Sequence, residues 1–161
     1  MLKKYSILAS ILLICNGLFS QSYYFRHFQV ENGLSNNAVI CSIQDKNGFV
    51  WFGTKDGLDR FDGYSFKIFR SDPDRPGSIG SNFIHSLYED KNGILWVGTE
   101  NGLYRYDATL ERFSLLPNTS NVGAVTDIKM DPQGSLWFIT GLSLNRYDFA
   151  GKILYPYPVS K

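Results

Sequence analysis

Two cysteines, two methionines and two histidines are all that 161 residues offer to redox, thioether and imidazole chemistry. Cys15 lies in an apolar N-terminal run, which leaves Cys41 without an internal disulfide partner in an exported chain. Within "AVICSI", Cys41 reads as a small buried hydrophobe rather than a reactive thiol. An excess of charge of one sign is missing too: 16 basic residues face 15 acidic ones. With no basic stripe to neutralise phosphates, nucleic acid is excluded as a partner. Phosphate loops, G-x-S-x-G elbows and paired-cysteine metal spacings are absent. No segment keeps a helical period.

Long apolar runs are equally scarce. The stretch from Tyr5 to Phe19 is too short for a membrane span of about 20 residues, and Asn16 and Gly17 interrupt it. Lys3 and Lys4 precede it, and Ser20 ends it before polar Gln21 and Ser22. A charged start, short apolar middle and small closing residue predict a secretory signal peptide over residues 1–20. Bulky Ile14 before Cys15 argues against a lipid-modified cysteine. Removing this segment takes away two lysines and no acid, so the net charge of +1 becomes −1.

What the chain has is repetition. Asp45, Asp90 and Asp131 each open a unit. Three residues on stand Gly48, Gly93 and Gly134, and six on stand Trp51, Trp96 and Trp137, which are all the tryptophans there are. Thr54, Thr99 and Thr140 follow, then Leu58, Leu103 and Leu144. Each unit closes on an Arg-aromatic-Asp triplet: Arg60-Phe61-Asp62, Arg105-Tyr106-Asp107 and Arg146-Tyr147-Asp148. The third unit departs from the others with Ile139 and Ser143 at two glycine positions.

Each unit reads as four short strands. In the first, "AVICSIQ" (38–44) runs into Asp45-Lys46-Asn47-Gly48, where Asn-Gly supplies the positive φ angles of a tight turn. "FVWFGT" (49–54), "LDRFD" (58–62) and "FKIFR" (66–70) follow. Four antiparallel strands in about 45 residues predict the blade of a β-propeller. The expected domain layout is a signal peptide (1–20) and a partial, all-β propeller (21–161). Its parts are an extra N-terminal strand (23–30) and blades over 38–70, 83–116 and 124–158. The tryptophans read as filler between stacked blades, and the triplet arginines as pairing with an aspartate or backbone carbonyls of the adjoining blade.

Three blades and a strand are too few for a ring of four to eight. Each open end would bare an apolar face of about 400 Å², worth about 10 kcal/mol. The expected partners are therefore the remaining blades of a longer protein or other copies of the chain.

The stretches "NGLSNNAVICSIQDKNGFVWFGTKDGLDRFDGYSFKIFR" and "DKNGILWVGTENGLYRYD" resemble the two-component regulator propeller repeats of bacterial hybrid two-component sensors. The likeness extends over about residues 23–158. It implies a periplasmic sensor, usually two propellers followed by a further β-domain, a membrane helix, a histidine kinase and often receiver and DNA-binding domains. It also implies an oligosaccharide ligand, since such sensors commonly detect glycan breakdown products.

No catalytic, cofactor-binding or metal-binding residue is expected in the chain itself. His27 and His85 occupy different repeat positions and read as packing residues. Asp56, Asp59 and Asp62 alternate faces of a strand and do not converge. "DKNG" lacks the later ligands of a calcium loop. If a ligand binds, the turns that share a rim with the variable linkers, 71–82 and 117–123, are the expected place. Two other classes remain: a propeller enzyme of the streptogramin-lyase type, for which histidines are too few and scattered, and a stand-alone protein-binding propeller.

Overall fold

The computed structural model describes residues 24–141 and 143–158, so the expected signal peptide lies outside the described residues. Three four-stranded antiparallel sheets follow one another in chain order. The first blade holds β1 (Val39–Gln44), β2 (Val50–Thr54), β3 (Leu58–Phe61) and β4 (Phe66–Phe69). The second holds β5 (Ile84–Glu89), β6 (Leu95–Thr99), β7 (Gly102–Asp107) and β8 (Arg112–Leu115). The third holds β9 (Val125–Met130), β10 (Leu136–Thr140), β11 (Ser143–Asp148) and β12 (Ile153–Pro158). Strand β5 touches both β1 and β9, and the three form the inner edge. The architecture is an all-β propeller left open, with no α-helix among the described residues.

The repeated aspartate builds each first turn with both carboxylate oxygens. Asp45 Oδ1 accepts from the backbone N–H of Asn47 at 2.9 Å and of Phe49 at 3.0 Å, while Oδ2 accepts the Trp51 indole N–H at 2.8 Å. Asp90 repeats this with Asn92, Ile94 and, at 3.1 Å, Trp96. Asp131 does so with Ser135 and, at 2.8 Å, Trp137. An indole N–H needs a partner when its ring is buried, and the turn that starts the strand provides it. The pairing across six residues is thus what lets a tryptophan sit in a sheet interface.

The first two tryptophans each face the blade that follows. Trp51 meets Tyr106 of the second blade edge-on at 5.0 Å, in a core with Leu58, Ile84, Val97 and Phe113. Trp96 meets Phe149 of the third blade at 5.6 Å, in a core with Leu103, Val125, Leu136 and Phe138. Trp137 has no further blade among the described residues and lies against Tyr157 of its own outer strand, half-buried. The glycine two residues after each of the first two tryptophans sets how close the blades come. A Cβ at Gly53 would stand 2.5 Å from Cys41 Sγ and 2.7 Å from Ile84 Cγ2. One at Gly98 would overlap Ser86 Oγ and the Val125 backbone oxygen. Ile139 takes that place in the third unit and is 43% exposed.

The N-terminal segment does not form the expected strand. Residues 24–29 join no sheet, and Val30–Asn32 make a single 3-10 turn closed by the Gln29 and Asn32 side chains. A strand needs a free sheet edge, and the outer place in the third blade is already held by β12. The segment instead lays Phe28 on the open face of the first blade, 4.9 Å from Phe61 and 5.4 Å from Phe66.

Candidate functional site

The two rims differ in kind. On one, the Asp45 and Asp90 turns are tied directly to each other. The Lys46 backbone N–H donates to the Glu89 carboxylate at 3.0 and 3.1 Å, and Lys46 Nζ to the Asn92 carbonyl at 2.8 Å. On this rim the Lys46 contacts hold the first two blades together.

The other rim carries the linkers and the β2–β3 type turns. Linker 71–82 is anchored at both ends on Asp56. Arg70 donates to the Asp56 carboxylate at 2.9 Å, Asn82 Nδ2 donates to its other oxygen at 3.2 Å, and Asn82 Oδ1 accepts the Ser71 N–H at 2.7 Å. Within the loop, Ser78 Oγ bridges the N–H and carbonyl of Asp72 at 3.1 and 2.7 Å. The Gly77 carbonyl accepts from the Phe113 N–H at 2.8 Å, which draws the middle of the loop outward against β8. The result is a cleft of about 680 Å³ between the outer strands of the first two blades, lined by Arg70, Asp72, Arg75, Ser78 and Arg112. Preformed clefts of about 300–1,000 Å³ with a few placed polar groups suit small ligands. In the shorter linker 117–123, buried Thr119 bonds back to Leu116 and Leu103, and Asn118 reaches the Lys152 carbonyl at 3.1 Å.

The two histidines are not brought together. His27 is exposed in the unpaired N-terminal segment. His85 sits on innermost β5, its Nε2 2.6 Å from Glu100 Oε2 and its ring stacked on Phe83 at 4.1 Å. His85 is also the residue skipped by the β5–β6 ladder, which passes from Ile84 to Ser86. Ile40 and Thr126 are skipped at the same place in the other two blades. A bulge re-aims the side chain it carries, so three blades each present one unpaired residue at the inner edge.

Asp56, Asp59 and Asp62 of the first blade have separate tasks. Asp56 anchors the linker. Asp62 Oδ1 accepts the backbone N–H groups of Tyr64 and Ser65, which hold its carboxyl below the usual range. Asp59 is fully buried, and burial pushes its pKa up against the opposing hydrogen bonds from Ser35. Ser35 Oγ donates at 2.6 Å and its backbone N–H at 3.2 Å, and the same hydroxyl lies 2.7 Å from Thr54 Oγ1. Reasoning from the sequence missed this network. The signal was a break in the repeat, since the second and third units hold Tyr104 and Asn145 there.

The triplet arginine of the first blade does reach the adjoining one, but it finds a glutamate and a phenol instead of an aspartate or a carbonyl. Arg60 donates to Glu111 Oε1 at 3.0 Å and to the Tyr106 hydroxyl at 3.2 Å. Lys67 binds the other Glu111 oxygen and, with Arg60, lowers the Glu111 pKa. No group of three or more His, Cys, Asp or Glu residues is placed to hold a metal ion among the described residues.

Residues 33–56 and 78–101 match the family described as Two component regulator propeller. Histidine kinase P4 of Formosa agariphila is 45% identical over 73 residues, which is 45% of this chain and 5% of that protein. The extracellular domain of the hybrid two component system BT3049 from B. thetaiotaomicron superposes with a TM-score of 0.75 at 30% identity, covering 85% of this chain and 20% of its own. That of BT4673 from the same organism superposes at 0.74 and 23% identity, over 88% of this chain and 19% of its own, and speaks to fold alone. The chain thus spans about a fifth of these solved domains.

Proposed function

We propose, on the premise that this chain carries two-component regulator propeller repeats, that it forms part of the periplasmic sensing region of a hybrid two-component sensor and responds to carbohydrate. The observation that carries this reading is the 30% identical likeness, over 85% of the chain, to an extracellular domain of such a system. The chain acts as a non-catalytic ligand platform, and phosphoryl chemistry belongs to other parts of the protein.

The physical case for a ligand platform is the contrast between the rims. Blade stacking consumes the Asp45 turn through Lys46, whereas the linker cleft holds charged and hydroxyl groups on a braced loop. Asp72, Arg75 and Ser78 together offer donors and acceptors of the type that sugar hydroxyls require. Loops on a rigid scaffold are where recognition is usually placed.

The test is induction by glycan breakdown products in cells carrying the full-length sensor. Replacing residues 72–76 with a neutral linker is expected to weaken or shift the response. Unchanged induction with normal protein levels would remove the linker cleft from the reading, and a sensor indifferent to every glycan offered would remove the carbohydrate.

A further inference from the structure

The first and second blade junctions are built from equivalent positions but differ in one charge. In the first, Arg60 and Lys67 converge on Glu111, four residues after Asp107 in the β7–β8 turn. In the second, Arg105 takes the place of Arg60 and Ser114 that of Lys67, since each pair faces across its ladder. The place of Glu111 is taken by Lys152, four residues after Asp148, and both residues adopt left-handed backbone with φ of 49° and 53°. The acid that pairs with the bases of the first junction has become a base in the second. Among the described residues, no carboxylate lies within 4.0 Å of Arg105, Lys91 or Lys152.

The second junction is also open. A cleft of about 410 Å³ lies there, with Arg105, Lys91 and Lys152 among its lining residues beside Trp96, Tyr147 and Phe149. Asp90 borders it, but its carboxylate is already taken by the Trp96 indole and two backbone N–H groups. Cations that line one cleft without a carboxylate partner favour an anion. Arg105 brings the planar fork that grips a carboxylate bidentately. Ser114 adds a hydroxyl donor, and the aromatic walls offer apolar surface to a ring.

We propose that the cleft between the second and third blades binds an acidic sugar, a hexuronate unit of an oligosaccharide whose carboxylate takes the position that Glu111 occupies one junction earlier. The inference rests on the carbohydrate reading above and adds to it the ligand's charge and a second place of contact. The symmetry of the repeat makes the case. Where the protein supplies its own carboxylate the bases are paired within the chain, and where it does not, bases without a carboxylate partner line a cleft of ligand size.

The test is calorimetric titration of the full chain with hexuronate oligomers, with neutral oligosaccharides of equal length and with a short acidic peptide. Hexuronate is expected to bind, with affinity that falls as salt rises. Arg105→Ala is expected to weaken it about tenfold or more, as loss of a charged hydrogen-bond partner does. Lys152→Glu, which restores the internal acid, is expected to abolish it. Both side chains are exposed, and an unchanged melting temperature shows that each variant still folds. Hexuronate binding indifferent to both substitutions, or acidic peptide binding more tightly than the sugar, would overturn the site. Neutral oligosaccharides binding alone would overturn it while leaving carbohydrate sensing intact, and binding of no oligosaccharide would sink both.

Discussion

Gly98 offers a quantitative test of how the blades stack. Its backbone is not left-handed, so conformational freedom is not the reason for glycine there. The reason is space. An added Cβ would overlap Ser86 Oγ and the Val125 carbonyl, and the second of these is backbone of the next blade. Nonbonded atoms settle near 3.5–4.0 Å, so the junction would have to open by roughly 1 Å. Overpacking of this kind costs about 1–3 kcal/mol. Separation also strains the 2.7 Å bond from Ser86 Oγ to the Val125 carbonyl, worth about 1 kcal/mol. Against this, replacing glycine stabilises by about 0.4–1 kcal/mol through the unfolded chain. The net is a loss of about 1–4 kcal/mol for Gly98→Ala. At about 2–4 °C per kcal/mol for a chain of this size, the melting temperature drops by several degrees, about 2–14 °C. Gly141→Ala is the control: nothing lies within 4 Å of its Cβ and its φ is not left-handed, so stability is expected to hold or rise slightly. Thermal unfolding followed by tryptophan fluorescence compares the two. If Gly98→Ala melts within about 1 °C of Gly141→Ala, contact between neighbouring backbones does not set the blade spacing.

Two further predictions concern buried titratable groups. Burial raises the Asp59 pKa above its ordinary 3.8, so the native state holds this proton more tightly than the unfolded state does. Its contribution is therefore complete below the ordinary value and is lost as pH rises through the raised one. Asp59→Asn removes that loss, and the difference in urea midpoint between variant and parent is expected to shift in the variant's favour from pH 3 to pH 7; a flat difference would contradict it. Burial likewise pushes the Cys41 thiol up to about 11. Alkylation at pH 8 is expected to be slow in buffer and to accelerate only across the urea unfolding transition, and rapid labelling of the folded chain would show the thiol to be accessible.

The blades were legible because their signals are local. Asp-x-x-Gly turns, a strand-central tryptophan and regular spacing each act within a few residues, and the sheets follow from them. What escaped was decided between units. Nothing near Asp59 in sequence announces that Ser35, 24 residues earlier, will cover it. Glu111 lies 51 residues from the Arg60 it binds, and only alignment of the units shows that Lys152 reverses its sign. Phe28 falls in the expected extra strand (23–30), but pairing depends on a vacant edge, and β12 holds the outer place of the third blade. The linker 71–82 was identified by its composition, yet its displacement toward β8 depends on one backbone bond from Phe113 to Gly77.

The residues that the inner ladders step over have a particular evolutionary standing. Ile40, His85 and Thr126 set no register within their own sheets, since pairing resumes on either side of them. An aliphatic, an imidazole and a hydroxyl already occupy the three places without disturbing a common architecture. The central opening can therefore be relined one side chain at a time, by selection or by a protein engineer, while the stacking that supports it stays as it is.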